Sequence, residues 1–295
     1  MTKNFKSGMV GLSGRPNVGK STLLNAIIGE KISIVSPKPQ TTRNRILGIK
    51  NLPDSQIIFV DTPGIHKPQH KLGELIVTKA CEAVKEVDLI IFMAEPEEPG
   101  MGDKFILDML KDLNKEVFLI INKIDTIKKP ELLPVIEAYK EIYSFSEIIP
   151  VSAKTGDGID ILMKGIAERL PDGPKYYPED IVTDQVERFM VAEIIREKVM
   201  QKTGDEVPYS VAVEVITWKE KKDGVILIDA NIYVERDGQK GIIIGKKGSK
   251  LKEIGTAARF EAERLLGCKL FLKLWVKVKK DWRGDEKVLK DLGYN

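Results

Sequence analysis

The chain is poor in the residues that staple or metallate small proteins: 295 residues include only two cysteines, Cys81 and Cys268, and two histidines. Without CxxC spacing or clustered histidines, neither a disulfide framework nor a zinc site has its ligands. Long apolar runs are also missing. The longest, such as LIIFMA at 89–94, have strand length and fall well short of the roughly 18 residues that cross a bilayer. The N-terminus MTKNFKSGMV has no apolar stretch before a small-residue cleavage site, so a cytoplasmic location is expected. Net charge is small, at +3, although 31% of residues are charged and 42% are hydrophobic. That balance excludes a disordered chain and implies about two folded domains.

Charge that is small overall is concentrated locally. Residues 171–238 carry nine basic against fifteen acidic side chains, whereas residues 239–283 carry thirteen against four. A basic stretch of that size is the electrostatic footprint of a polyanion partner, because each cation that neutralises a phosphate releases condensed counterions. A solvated helix face would give the same count, so charge alone leaves both readings open.

The first 170 residues alternate short apolar runs with helical patterns. Runs at 9–13, 45–49, 56–61, 88–94, 116–122 and 147–152 read as strands, and 20–29, 72–87, 102–113, 131–143 and 159–170 read as helices. Continuous apolar strands separated by amphipathic helices imply a mostly parallel sheet covered on both faces. The pair 45–49 and 56–61 is joined too briefly for a parallel crossover and is expected as an antiparallel hairpin. Three prolines in PDGPKYYPED at 171–180 then mark a linker. Beyond it the pattern reads helix, two alternating strands turning at KKDG, helical material from about 240 to 267, and the strand KLFLKLWVKVK. The expected organisation is a first domain over 1–172, a linker over 173–182 and a second domain over 183–295.

GRPNVGKS at 14–21 fits G-x-x-x-x-G-K-[ST] between a strand and a helix, the context in which this motif holds phosphate. Its residues are Gly14, Arg15, Pro16, Asn17, Val18, Gly19, Lys20 and Ser21, followed by Thr22. Successive N–H groups and the helix N-terminus would bind phosphate oxygens, Lys20 would hold the β and γ phosphates, and Ser21 would ligate Mg²⁺. The strand QIIFVD ends in DTPG, placing Asp61 as a Mg²⁺ partner and the Gly64 N–H near a γ-phosphate. NKID at 122–125 ends another strand. The Asp125 carboxylate can accept from guanine N1–H and the 2-amino group, a donor pair that adenine lacks, while Asn122 and Lys123 brace the loop. SAK at 152–154 adds Ser152, Ala153 and Lys154, with the Ala153 N–H as a base contact. A P-loop ATPase is the competing reading, and the Asp125 acceptor argues against it.

These four motifs, in this order and each at the carboxyl end of a strand, resemble the G-motif set of small-GTPase-like proteins. GKKG at 245–248, between apolar residues and an amphipathic helix in the basic stretch, resembles the clamp of a KH domain. There glycines let an RNA backbone approach a helix N-terminus, with Lys246, Lys247 and Lys250 adding charge beside Gly245 and Gly248. Phe271 and Trp275 either support base stacking or belong to a simple core–solvent alternation, and the alternation of KLFLKLWVKVK favours the second.

Across essentially the whole chain, PQTTR, DTPG, NKID and GKKG together make the sequence similar to the bacterial Era family. The resemblance implies an α/β P-loop GTPase domain, with a six-stranded sheet and one antiparallel edge strand, followed by a type II KH domain. It also implies slow GTP hydrolysis with Mg²⁺, binding of 16S ribosomal RNA, assistance to small (30S) subunit assembly, monomeric action, and some contact with the inner membrane. In the polar segment 36–45, the first switch of such proteins, Thr41 and Thr42 both qualify to complete the Mg²⁺ shell, and Thr42 is favoured. The catalytic set implied is Lys20, Thr42 and Gly64. Ras-like members carry a water-orienting Gln directly after the DxxG glycine. Ile65 stands there in this chain, so the missing assistance must come from a partner or from K⁺, for which Asn17 matches the P-loop residue of K⁺-recruiting families. His66 and His70 are weak candidates for bases. A membrane-signalling GTPase whose basic stripe meets anionic lipid is the alternative.

Overall fold

The computed structural model describes residues 5–36, 38, 41–65, 70–204 and 207–294. Its described residues fall into two compact units. One comprises 1–33, 42–68 and 76–184; the other comprises 34–41, 69–75 and 185–295.

The first unit is built on six strands: β1 (Lys6–Gly14), β2 (Ile46–Leu52), β3 (Ser55–Asp61), β4 (Leu89–Ala94), β5 (Glu116–Ile121) and β6 (Glu147–Pro150). They lie in the order β2-β3-β1-β4-β5-β6. Every pairing is parallel except β2 with β3, where Ile46 faces Asp61 and Leu52 faces Ser55. The hairpin arises because Pro53 and Asp54 alone separate the two strands, too short a connection for a crossover. β3 and β4 are buried along their whole length, as strands covered on both faces must be. The helices of the series are α1 (Lys20–Ile28), α2 (Lys71–Glu86), α3 (Met101–Lys111), α4 (Lys129–Lys140) and α5 (Ile159–Arg169). One apolar core joins β3, β4 and β5 to Ala80, Val84, Ile106, Leu110 and Tyr139.

The proline-marked segment is not a free tether. Ser7 N–H donates to the Pro171 carbonyl and Gly173 N–H to the Phe5 carbonyl. Gln56 Oε1 accepts from the N–H groups of Tyr176 and Tyr177, Gln56 Nε2 donates to the Tyr177 carbonyl, and Ile49 N–H donates to the Val182 carbonyl. Proline removes donors from the segment, and residues at the amino-terminal ends of β1 and β3, with Ile49 of the edge strand β2, satisfy much of what remains.

The second unit contains α6 (Glu187–Lys202), β7 (Ala212–Glu220), β8 (Ile226–Val234), α7 (Asp237–Ile244), α8 (Ser249–Leu266), β9 (Leu270–Val278) and α9 (Glu286–Asp291). Its sheet runs β7-β8-β9, with β7 antiparallel and β9 parallel to β8. The stretch expected as helical from 240 to 267 is two helices, because GKKG separates them. Gly245 stands at φ 70° and ψ 179°, and Lys247 and Gly248 also have positive φ, which ends one helix and starts the next. Among the described residues no helix is long and apolar enough to cross a membrane.

Candidate nucleotide site and nucleic-acid interface

All four nucleotide motifs sit at the carboxyl ends of β1, β3, β5 and β6, the crevice where open α/β sheets bind ligands. The loop after β1 leads into α1 through Gly19, at φ 103°, and Asn17 shares the left-handed region at φ 68°. A Cβ on Gly19 would lie 2.2 Å from Asn122 Nδ2, so the close approach of the two loops requires glycine there. Lys20 is buried, and its Nζ donates to the carbonyls of Gly14 and Arg15 at 3.0 and 2.9 Å. Burial drives its ammonium down to about 8, against the pull of Asp61. A bound triphosphate would supply the counter-charge that this ammonium lacks.

Ser21, Thr42 and Asp61 converge. Ser21 Oγ lies 2.9 Å from Thr42 Oγ1 and donates to Asp61 Oδ2 at 2.8 Å. Ser33, which the sequence reading missed, also donates to Asp61 Oδ2, at 2.9 Å. Burial pushes the Asp61 carboxyl up, opposed by Lys20 and by the two serine hydroxyls. Its other oxygen, Oδ1, is buried without a hydrogen-bond donor. Two hydroxyls beside a buried carboxylate with one unengaged oxygen form a hard-donor set suited to Mg²⁺. Thr41 is placed differently: its hydroxyl donates to the Lys38 carbonyl at 2.6 Å, which leaves Thr42 as the threonine beside Ser21.

Gly64 abuts the P-loop, since a Cβ on it would lie 2.7 Å from the Pro16 backbone. The next N–H, that of Ile65, donates to the Gly14 carbonyl at 3.3 Å, and the Ile65 side chain is 1% exposed within the apolar core. Position 65 therefore belongs to the core. His66 lies outside the described residues, as do Pro39 and Gln40 of PQTTR. His70 lines a polar recess with Glu235 and Arg283 in the second unit.

At the base end, Asn122 Nδ2 donates to the Val18 carbonyl at 2.8 Å, while its Oδ1 accepts from the Ala153 N–H at 2.9 Å, so the N–H expected as a base contact is instead spent on joining the two loops. The Ser152 hydroxyl donates to Asp125 Oδ1 at 2.7 Å and holds this exposed carboxyl below its usual range. Ser152 thus fixes one oxygen of an otherwise exposed carboxylate. Lys123, at φ 63°, pairs with Glu95. Arg15 is drawn away from the phosphate loop by Asp103, at 2.9 Å, and Glu97. Lys154 is exposed and Thr22 half-buried at the start of α1.

In the second unit the GKKG loop exposes Lys246 and Lys247 at the N-terminus of α8. A Cβ on Gly245 would lie 2.7 Å from Lys250 Cβ, so glycine lets the loop fold onto α8. A groove of about 470 Å³ begins at Gly248 and runs between α8 and β9, past Leu251, Lys252, Thr256, Arg259 and Leu274. Lys252, Thr256 and Arg259 were not singled out from the sequence, although their three- and four-residue spacing places them on one helix face.

A phosphate loop, a hard-donor cluster and a guanine-type acceptor at the ends of parallel strands, with a GxxG helix pair on a three-stranded sheet, define a P-loop GTPase domain followed by a KH domain. Residues 9–123 match the family model described as 50S ribosome-binding GTPase, and residues 206–283 match the one described as KH domain. The GTPase Era of Geobacter metallireducens is 56% identical over 98% of each chain, and that of Ruminiclostridium cellulolyticum is 54% identical over 99% of this chain and 98% of its own. The chain belongs to the GTPase Era family and is a GTPase. Among solved structures, an Aquifex aeolicus Era variant bound to GDP·AlF4⁻ superposes with a TM-score of 0.95 at 45% identity, covering 98% of this chain and 99% of that one. An Era in complex with MgGDPNP and nucleotides 1506–1542 of 16S ribosomal RNA gives the same values.

Proposed function

We propose that this protein is a GTP-driven switch that binds 16S ribosomal RNA near its 3′ end and assists assembly of the small (30S) ribosomal subunit. The observation that carries the RNA assignment is the exposed Lys246–Lys247 pair at a helix N-terminus opening onto a groove with cationic and apolar walls. Backbone phosphates suit the first and bases the second. The RNA in the related Era complex supports the same choice. In this reading the protein acts as a monomer in the cytoplasm, and its basic segment allows peripheral contact with the inner membrane.

The proposed nucleotide residues are Gly14 to Thr22, Asp61, Gly64, Asn122, Lys123, Asp125 and Ser152 to Lys154. Lys20 would neutralise β and γ phosphates, Asp125 would select guanine, and Ser21, Thr42 and Asp61 would hold Mg²⁺. When bound, the ion would neutralise phosphate charge. Loss of the γ-phosphate would release the segments around Thr42 and Gly64. K⁺ near Asn17 would supply the charge that a core-buried Ile65 side chain cannot; equal turnover in K⁺ and Na⁺ buffers would exclude it. If nucleotide state changes RNA affinity, RNA must change nucleotide affinity by the same factor.

The test replaces Lys246 and Lys247 with Asp. RNA binding should be lost while GTP affinity stays within about twofold, as expected when phosphate contacts are reversed in sign. RNA affinity retained in that variant would place the clamp elsewhere.

A further inference from the structure

The loop that leads from β4 into α3, EPEEPGMGD at 95–103, is acidic and belongs to none of the nucleotide motifs. Three of its carboxylates nevertheless turn onto two cations that do. Asp103 is 0% exposed; its Oδ1 accepts from Arg15 Nε at 2.9 Å and its Oδ2 from the Gly100 N–H at 3.0 Å. Glu97 takes Arg15 Nη2 at 2.5 Å. Gly102 gives the Arg15 stem its path, since a Cβ there would lie 2.9 Å from Arg15 Cδ. Burial pushes the Asp103 carboxyl up, opposed by Arg15. Arg15 is therefore a fixed strut from the phosphate loop to the start of α3.

Glu95 reaches further than the other two. Its Oε1 pairs with Lys123 Nζ, and its Oε2 lies 3.9 Å from Arg15 Nη2. One carboxylate thus stands between the phosphate loop and the base loop. The backbone makes a similar link one residue earlier, where the Ala94 carbonyl accepts from the Asn122 N–H at 2.8 Å. Lys123 has φ 63° and ψ 32°, a left-handed conformation that a residue with a Cβ keeps only when its surroundings hold it there. It caps a single 3₁₀ turn over Ile124–Thr126, and its carbonyl accepts from the Thr126 N–H at 2.9 Å and the Thr126 hydroxyl at 2.7 Å. Asp125 lies in that turn, so the setting of Lys123 decides where the Asp125 carboxylate points.

The side chains of Glu95 and Lys123 are 30% and 37% exposed, and ion pairs so open to solvent add little stability. Holding the fold together does not account for the arrangement. We infer that Glu95 is a positioning residue for guanine recognition: by holding Lys123 beside the Arg15 strut, it fixes the turn that aims Asp125 at the base. A nucleotide's phosphate end and base end are then registered to each other through one side chain that touches neither. The inference rests on the proposal that Asp125 selects guanine.

The experiment measures GDP and IDP affinities of the full-length protein by competition against a fluorescent GDP analogue. IDP lacks the 2-amino group, so the parent should prefer GDP by about tenfold or more. Glu95→Gln removes the charge and keeps the side-chain length. It should weaken GDP more than IDP and lower the preference by about threefold or more, with the melting temperature within about 2 °C of the parent's. Glu97→Gln, which changes a carboxylate on Arg15 alone, should leave the preference within about twofold. Lys123→Met should lower the preference as Glu95→Gln does, and the two together should lower it no further than about twofold beyond the worse single change. A preference unchanged in Glu95→Gln, or equal losses of GDP and IDP, would overturn the positioning role and leave Asp125 as the guanine reader. So would a double variant whose losses simply multiply, because Glu95 would then act by a route other than Lys123. A parent protein that binds GDP and IDP alike would overturn the guanine reading itself.

Discussion

Asn122 closes on Gly19 tightly: a Cβ at position 19 would lie 2.2 Å from its carboxamide nitrogen, at a backbone φ of 103° that favours glycine. The same side chain donates to the Val18 carbonyl and accepts from the Ala153 N–H, joining the phosphate loop to two loops at the base end. Asn122→Ala leaves a buried carbonyl and a buried N–H without partners, at about 1–3 kcal/mol each. Affinity for GDP, followed with a fluorescent analogue, should fall on the order of tenfold or more, and the melting temperature should drop. RNA affinity should change by less than about twofold, because the second unit keeps its own core. An unchanged GDP affinity would show that the loop contacts do not set the nucleotide geometry.

Asp125 is exposed, yet Ser152 fixes one of its oxygens. Asp125→Asn replaces an acceptor pair with an acceptor and a donor, which suits xanthine, whose 2-position carries a carbonyl. Competition binding should show GTP affinity reduced by at least tenfold and xanthosine triphosphate affinity raised, consistent with the penalty for unpaired polar groups in a base pocket. Unaltered guanine preference would remove Asp125 from base recognition.

Lys20 gives a pH dependence whose sign is fixed by its surroundings. Its ammonium is held down to about 8 by burial, against the pull of Asp61, and a bound triphosphate would raise it. The protonated form is therefore favoured more in the complex than in the free protein. Affinity should be constant below about pH 8 and decline above it, by up to tenfold per pH unit, with uptake of up to one proton on binding. Calorimetry in buffers of different ionisation enthalpy reads that proton directly. A flat profile between pH 7 and 9 would mean that Lys20 remains protonated throughout.

The alternation of apolar strands and helical patterns was sufficient to place the six strands of the first unit, because strands covered on both faces leave an unbroken apolar record. The antiparallel hairpin was legible from a connection too short for anything else. The nucleotide motifs were legible because their chemistry demands particular residue types at fixed spacing. Ser33 was not: its hydroxyl reaches Asp61 only after α1 and the following turn have folded back, and no spacing rule marks it. The fixing of the 171–180 segment against the amino-terminal ends of β1 and β3 was also hidden, since prolines announce a break in regular structure and say nothing about what the remaining polar groups will bond to. On β9 the period-two pattern gave the faces correctly, but could not distinguish a ring that packs from one that stays exposed.

Ile65 shows where comparison by position misleads. By sequence it occupies the place of a water-orienting Gln, which invites repair by Ile65→Gln. In the fold only its backbone faces the P-loop, through the N–H that donates to Gly14, while the side chain is 1% exposed among Leu47, Val60 and Phe92. A glutamine there would carry an amide into an apolar core, at a cost of about 1–3 kcal/mol on the scale of protein substitutions, and would also lose the packing of a buried isoleucine. Ile65→Gln should therefore lower the melting temperature by several degrees, about 2–4 °C for each kcal/mol in a unit of this size, and leave intrinsic GTP turnover no faster. Turnover assays beside thermal melts separate the two possibilities. An acceleration of tenfold or more with stability intact would mean that the switch turns this side chain out toward the γ-phosphate when GTP binds.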